Sequence, residues 1–407
     1  MKRIFATLCV LCCALILPQT VFATNGDNLI GVGPVSRAMG GVGIAAPQDA
    51  ISATFSNPAA MNFGPFCPQS HFDFAATLYS PSVDAKVTMG NNAPLKADSD
   101  TKVYMVPAFG ISTPINDKAR IGLSAYGITG LGVDYRDTDI AGTGAVDSTQ
   151  LMILKFAPTF AYQITDKLSI GLAIHAVNSS LDLDNGTSSN YGFGGQLGAI
   201  YRLSNTVSLG ATYQSPVNAD HENVFDMDSD GSMDDFAFEA PQSFGIGVAW
   251  KIAPELLVEV NGQWLNWSEA NGYDDLDWED QYVVSLGVQY QVQSWLTLRC
   301  GYNYGKNQVN EHNNFDGSST ISIQGKDVNR YGYETLRIIG FPAVCEHHMT
   351  LGLGFNLSQN LLLNIAYQHA FKTTVKSSGT LPDGITPVDL ESNLSENGID
   401  FSLSWRF

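Results

Sequence analysis

Beyond its opening stretch the sequence has no run of about 18 consecutive apolar residues, so no transmembrane helix is available to the rest of the chain. Cysteine is scarce, with 6 in 407 residues, and Cys9, Cys12 and Cys13 fall inside that opening stretch. The other three, Cys67, Cys300 and Cys345, form an odd and dispersed set that argues against a disulfide framework. Positive charge is also short: 21 Lys and Arg face 40 Asp and Glu, for a formal net charge of -19. Such a balance repels phosphate backbones and argues against a nucleic-acid partner. With 7 histidines and no Gly-x-Ser-x-Gly, a nucleophile and base for lipid hydrolysis do not stand out, and no covalent chemistry is expected.

What is present starts with Lys2 and Arg3, an apolar stretch over residues 4–17, and the small-x-small site Val21-Phe22-Ala23. These read as a secretory signal over residues 1–23 that is removed after Ala23. No lipobox surrounds the leader cysteines, so the exported chain is expected to lack a lipid anchor. Loss of Lys2 and Arg3 leaves the mature chain more acidic still. The mean hydropathy of the full sequence, -0.01, is neutral. That fits a membrane barrel as well as a soluble protein, because strands with one face on lipid and one on a polar lumen average to neutral.

From about residue 70 onward the residues alternate. Tyr282, Val284, Leu286, Val288, Tyr290 and Val292 make one apolar face, while Gln281, Ser285, Gly287, Gln289 and Gln291 fill the other. Leu168, Ile170, Leu172 and Ile174 likewise oppose Ser169, Gly171 and His175, and Leu256, Val258 and Val260 oppose Glu259 and Asn261. Mid-strand amides and charges suit a water-lined lumen better than the core of a sandwich. The pattern predicts about fourteen strands near 70–82, 101–113, 118–128, 150–164, 167–184, 191–203, 206–217, 236–251, 254–266, 280–292, 294–305, 345–357, 360–374 and 396–407. Short links such as Asn116-Asp117 and Ser358-Gln359 alternate with long ones at 218–235, 267–279, 306–344 and 375–395. This is the asymmetry of an outer-membrane barrel, and Tyr201, Trp250, Trp264, Trp267, Trp278, Trp295 and Trp405 are expected in its interfacial belts. The fold class is therefore all-β: a transmembrane antiparallel β-barrel over residues 65–407, located in the bacterial outer membrane and working as a monomer among outer-membrane lipids.

Residues 24–64 do not alternate. They carry Gly31, Gly33, Gly40, Gly41 and Gly43, prolines at 34, 47 and 58, and many alanines, which interrupt ladders and permit close backbone approach. The segment is too apolar for a solvated tail, and the expected place for it is inside the barrel, as a hatch. Asn57-Pro58-Ala59 is expected to be its hinge or brace, or else only a turn before the first strand.

The hatch pattern of Gly33, Arg37, Gly41, Asp49-Ala50 and Asn57-Pro58-Ala59 resembles that of the FadL-type outer-membrane transporters of long-chain fatty acids and other hydrophobic compounds. Further matches follow in order: Ile115-Asn116-Asp117 leading to Gly122, "TYQSPV" at 212–217, "APQSFGIGVAW" at 240–250, "QWLNWSEA" at 263–270 and "LTLRCGYNYGKNQV" at 296–309. The resemblance implies fourteen strands and passive uptake of a hydrophobic small-molecule ligand, with lateral release into the membrane. It also implies that Arg37, Gly40, Gly41, Asn57, Pro58 and Ala59 belong to the gate. The alternatives are a general porin for polar solutes, which would lack such a plug, and an outer-membrane lipid hydrolase.

One link departs from the family pattern. The insertion expected between the fifth and sixth strands is reduced to "DLDNGTSSN" at 182–190, so either ligand capture falls to the apolar part of the 306–344 loop, at Leu336, Ile338, Ile339 and Phe341, or the substrate is smaller than a long acyl chain; a loop capping the barrel mouth would bury the same four residues. "DMDSDGSMDD" at 226–235 resembles half a calcium loop, with Asp226, Asp228 and Asp230 at alternate positions before Gly231. The twelfth-position Glu is absent, since residue 237 is Ala, so a solvated acidic external loop without cofactor is the expected reading and calcium in that loop the alternative. Adjacent His347 and His348 should point to opposite faces of a strand and share no ion.

Overall fold

The computed structural model describes residues 25–100, 103–144 and 147–407; the leader expected over 1–23 lies outside the described residues. Fourteen antiparallel strands form the wall: β1 His71–Met89, β2 Tyr104–Pro114, β3 Ala119–Asp134, β4 Ser148–Gln163, β5 Leu168–Asp182, β6 Thr187–Arg202 and β7 Val207–Gln214. They continue with β8 Ser243–Ala253, β9 Leu256–Leu265, β10 Gln281–Gln293, β11 Leu296–Gly305, β12 His347–Asn356, β13 Leu361–Thr380 and β14 Pro387–Arg406. The last strand pairs with both β13 and β1, from His71 opposite Arg406 to Met89 opposite Val388, so the sheet closes without edges. The amide of Ser70 donates to Phe407 O at 3.0 Å, placing both ends of the wall on the short-turn side.

Side chains alternate as a lipid-facing barrel requires. On β4, Met152, Leu154, Phe156, Phe160 and Tyr162 face outward and exposed, while Leu151, Ile153, Lys155, Ala157 and Ala161 are buried. Phe244, Ile246, Val248 and Trp250 repeat this on β8. Tyr201, Trp250, Trp295 and Trp405 stand exposed on the outside, as the belt expectation has it. Trp267 and Trp278 do not. Both are buried and pack with Tyr273 in edge-on contacts, ring centroids 4.7 to 5.2 Å apart, inside the loop between β9 and β10.

β1 and β3 run on past their expected ends, to Met89 and Asp134, and two further departures from the expected boundaries have a visible reason. The expected strand 236–251 is two elements: Asp234–Ala240 pairs back on Val217–Phe225 as an outer hairpin, and β8 begins after Pro241, which has no N–H to give a ladder. The expected long loop 375–395 shrinks to residues 381–386 because β13 and β14 run on together past the apolar band. Their outward residues there are polar, but Val375, Val388, Leu390 and Leu394 point inward and are buried. Three long loops remain over the mouth, at 215–242, 266–280 and 306–346, and their apolar side chains join one buried cluster with Ile128, Leu131 and Val133 of β3.

The segment from Asn25 to Phe66 threads the lumen. It contains α1 Gly33–Arg37, α2 Ala50–Ser56 and a 3₁₀ turn Pro58–Asn62, nearly all of it buried. Asp49 caps α2, its Oδ1 accepting from the Ser52 amide at 2.7 Å, and Asn57 begins the 3₁₀ turn by accepting from the Ala59 amide at 3.1 Å. The wall makes room for this backbone with inward glycines. A Cβ on Gly301 would lie 2.1 Å from Gly40 N, one on Gly210 2.0 Å from Ile44 O, and one on Gly171 2.4 Å from Pro58 C. Gly171 and Gly287, which in the alternation simply belong to the wet face, are places where the hatch main chain rests on the wall.

Candidate ligand pocket and wall break beside the hatch

Arg37 ends α1 and points at the wall. Its guanidinium meets Asp400 Oδ1 of β14 at 2.5 Å and donates to Thr77 Oγ1 of β1 at 2.8 Å. It also donates twice to the hatch carbonyl of Gly31, at 2.7 and 3.2 Å. Arg37 and Asp400 are both fully buried, so one ion pair ties the hatch to the seam where the barrel closes. Asn57 braces the opposite side: its Nδ2 donates to Ile44 O at 2.8 Å within the hatch, and to Ala199 O of β6 at 3.1 Å and Ala211 O of β7 at 3.2 Å. Gly40 and Gly41 have φ of +69° and +82°, and a Cβ on Gly41 would lie 2.0 Å from Ile30 O. Both are therefore positions that favour glycine. Arg120 and Arg202 pin the far end, donating to Gln69 O at 2.6 Å and Phe63 O at 3.1 Å.

The amino-terminal end of the hatch is held differently. The Leu29 amide donates to Ile128 O of β3 at 3.0 Å, Asn28 bridges to Thr129, and Gly26 lies against the Trp267 indole. The Tyr273 hydroxyl donates to the Asp27 carboxyl. Burial pushes that carboxyl from 3.8 up to about 7, the tyrosine bond opposing it. The docked segment thus keeps its proton to higher pH than a free one. Its attachment is strongest below about pH 4, weakens as pH rises from about 4 to about 7, and is level above that. Hydrogen exchange at the Leu29 amide, corrected for its intrinsic rate, should show less protection at about pH 8 than at about pH 5. Asp27→Asn should abolish the difference; equal protection in the unaltered protein would contradict the assignment.

The same stretch of β3 is where the wall ladder fails. β2 and β3 pair from Pro114 opposite Arg120 only as far as Ala108 opposite Tyr126. Beyond that, Tyr104–Pro107 of β2 keep pairing with β1, and β3 from Gly127 keeps pairing with β4, with a register shift between Gly127 and Thr129. Pro107 has no N–H for the missing ladder, and the shift leaves the Ile128 carbonyl to the hatch instead. Ile128 also borders a cavity of about 70 Å³ between the hatch and the wall, whose other walls include Leu29, Ile30, Phe55, Leu265, Lys155 and Gln263. Lys155 is buried, and Gln214 Oε1 at 3.1 Å is its only hydrogen-bond partner among the described residues.

Leu336, Ile338, Ile339 and Phe341 lie together, but inside the cap over the mouth and not along an outer groove. All four are buried: Leu336, Ile338 and Ile339 in a π turn Leu336–Gly340 that follows α3 Arg330–Thr335, and Phe341 just after it. Phe341 packs on Phe238 at 5.7 Å, and Gly340 O accepts from Thr149 Oγ1 of β4 at 2.6 Å. Arg337 fixes the turn, donating to Leu276 O at 2.6 Å and to Glu334 Oε2 at 3.0 Å.

In the acidic hairpin, the oxygens that converge belong to Asp226, Asp228 and Asp234. Asp230 is turned to its own loop, accepting from the Ser232 amide at 2.8 Å, and Lys326 reaches both Asp234 and Asp228. His348 is buried toward the lumen while His347 meets the Tyr302 hydroxyl outside, on opposite faces. Lys155, Asp400, Asp27 and the Pro107–Gly127 break were not singled out by sequence reading. Lys155 is the one cation in the alternation over 150–164, and Pro107 a proline inside a wall strand; these were the available signals.

Comparison with known proteins agrees with this geometry. Residues 12–188 and 176–332 match the family model described as outer membrane protein transport protein (OMPP1/FadL/TodX). The long-chain fatty acid transport protein of Escherichia coli strain K12 is 22% identical over 377 residues, covering 75% of this chain and 81% of that protein. Outer membrane protein P1 of Haemophilus influenzae is 22% identical over 355 residues, covering 66% and 74%. Among solved structures, the P. putida toluene transporter TodX superposes with a TM-score of 0.68 at 19% identity, over 93% of this chain and 99% of that one. A Pseudomonas aeruginosa FadL homologue superposes at 0.72 with 13% identity, over 96% and 100%. A closed fourteen-stranded barrel, a lumen filled by its own amino-terminal segment, and a family match over most of its length show that this chain belongs to the OMPP1/FadL/TodX family of outer membrane transport proteins.

Proposed function

We propose that this protein carries hydrophobic carboxylates of the fatty-acid class passively across the outer membrane, one barrel working alone and leaving the cargo chemically unchanged. The observation that carries the reading is Lys155: a buried ammonium with a single amide partner among the described residues, facing a cavity that sets apolar Leu29, Ile30, Phe55, Ile128 and Leu265 beside polar Asn25, Asn28 and Gln263. A carboxylate head would pair with Lys155, and the acyl chain would gain about 0.8 kcal/mol per methylene buried.

At about 70 Å³ the cavity is well below the roughly 300 Å³ at which drug-sized pockets begin, so a chain-length ligand has to displace something. The displaceable wall is the amino-terminal segment, held by the Leu29 amide bond to Ile128, the Asn28–Thr129 bridge, the Gly26 contact with Trp267 and the Asp27 contact, whereas the rest of the hatch is pinned by Arg37, Asn57, Arg120 and Arg202. Its withdrawal frees Ile128 at the wall break, through which the ligand slides into the bilayer. Capture at Leu336, Ile338, Ile339 and Phe341 follows when the cap loosens and turns these residues toward the incoming chain. Calcium belongs to the same reading only as a competitor of Lys326 for Asp228 and Asp234, with Asp226 converging beside them.

The test is uptake of labelled oleate and of toluene by cells lacking their own transporter. Lys155→Met should reduce oleate uptake roughly 10-fold or more, the worth of one charge-assisted hydrogen bond at about 1.5–3 kcal/mol, and leave toluene uptake unchanged. Equal effects on both solutes would remove the carboxylate assignment.

A further inference from the structure

On the outer face of the wall, above the apolar band, one hydrogen-bonded row crosses four strands. Lys96 of the short strand Leu95–Asp98 stands opposite Lys86 of β1, Lys86 opposite Glu391 of β14, and Glu391 opposite Lys376 of β13. Residues directly opposite share a face. That face is the outer one, because the neighbours Ala85, Val87, Leu390 and Val375 are buried on the other. Glu391 serves two ammonium groups, Lys376 at 3.1 Å and Lys86 at 3.6 Å, and Lys96 has no ion pair among the described residues. Glu391 thus serves two of the three cations and leaves Lys96 without an ion pair among the described residues, while Asp84 and Asp98, opposite each other two residues along on the same face, are met by Lys372 at Asp84.

The row borders a polar groove of about 320 Å³, lined by Lys86, Lys376, Asn313, Ser378, Asp389 and Glu391. Its height is set by the strands. Exposed apolar residues on β1 end at Leu78, on β14 at Ile399 and on β13 at Tyr367. Lys86 lies beyond Leu78 by roughly 27 Å of strand at ~3.4 Å per residue, or about 20 Å of height at a tilt near 40°. It stands on the long-loop side, at the level of sugars and phosphates of the outer leaflet, clear of the hydrocarbon.

We propose that this row and groove form a docking site for the phosphorylated saccharide of the outer-leaflet glycolipid, with Lys96, Lys86 and Lys376 holding phosphate and Asn313, Ser378 and Asp389 bonding sugar hydroxyls. The mixture fits a phosphorylated sugar better than a bare anion. The ammonium groups answer the phosphates, and exposed carboxylates such as Asp389 accept from hydroxyl donors. The acidity of the remaining chain directs such a polyanion to this face by repelling it elsewhere.

The test is binding of purified protein to mixed micelles of lipopolysaccharide with its core phosphates intact or enzymatically removed. Combined Lys86→Glu, Lys96→Glu and Lys376→Glu should weaken binding to the intact glycolipid at least about 10-fold. The same reversal at Lys118, Lys167 and Lys251 on the short-turn side should leave it unchanged. Dephosphorylated glycolipid should bind the unaltered protein no better than intact glycolipid binds the triple variant. Heat-modifiable gel mobility reports whether the barrel has formed. Should the triple variant fail to form it, Lys96→Glu alone, which breaks no ion pair, should still weaken binding several-fold. Equal affinity of a correctly formed variant for intact glycolipid, or indifference of the unaltered protein to phosphate removal, would overturn the proposal.

Discussion

Cells producing the Arg37→Ala protein are expected to admit a polar dye that the unaltered protein excludes, and the purified variant to unfold at lower temperature. Among the described residues, Arg37 is the one guanidinium that bonds both the hatch, at Gly31, and the seam of the wall, at Asp400 and Thr77. Removing it leaves the Asp400 carboxylate buried without its counter-charge, a change that ordinarily costs about 3–5 kcal/mol. That is a large part of the roughly 5–15 kcal/mol that holds a typical domain together. The loss falls on the attachment of the hatch more than on the wall, whose ladders are untouched. Two further variants separate charge from shape. Arg37→Ala with Asp400→Asn removes the orphaned charge and should recover part of the thermal stability. Arg37→Lys keeps the charge, but one ammonium cannot span Gly31, Thr77 and Asp400 as the planar guanidinium does, and dye should still leak. A dye-tight Arg37→Ala barrel would show that the hatch is held by its backbone contacts alone.

A larger effect on transport itself is expected from closing the wall break. A Cβ at position 127 would lie 3.9 Å from the Val106 Cβ, inside the 3.5–4.5 Å span of disulfide-bonded pairs. Val106→Cys with Gly127→Cys should therefore form a bond across the end of the β2–β3 ladder. In the oxidised state, oleate uptake should fall to the level of cells without the protein, and a reductant should restore it. The native thiols interfere little: Cys345 is buried, Cys67 and Cys300 are only partly exposed, and each single variant controls for its own substitution. Undiminished uptake by the oxidised protein would place the exit elsewhere.

How much of this was legible in the sequence differs from element to element, for physical reasons. Strands crossing the hydrocarbon had to alternate, so β4, β5, β9, β10 and β11 could be read within a few residues. Once β13 and β14 leave the bilayer the outer face turns polar, and residues 375–395 looked like a loop although Val375, Val388, Leu390 and Leu394 still point inward. Trp267 and Trp278 sit near strand ends, where aromatic belts are expected. Only the fold of the 266–280 loop shows them buried around Tyr273. The hatch could be recognised by its glycines, but its partners could not. Asp400 and Lys155 are inward charges among many polar inward positions, Glu396 being another on β14, and only closure of the sheet brings Asp400 beside Arg37. Asp230 fitted a linear calcium pattern, yet the turn takes Asp230 for itself and delivers Asp234 in its place.

The central claim, that a hatch-filled barrel passes hydrophobic molecules while excluding polar ones, is tested most directly by two uptake measurements in one culture. Cells lacking their own transporter receive labelled oleate and a small polar dye, and the unaltered protein is compared with one deleted for residues 25–62. The account predicts oleate uptake without dye for the unaltered protein, and dye uptake once the hatch is gone. Free passage of dye through the unaltered protein, with no uptake of oleate or of toluene, would contradict it and make the chain a porin.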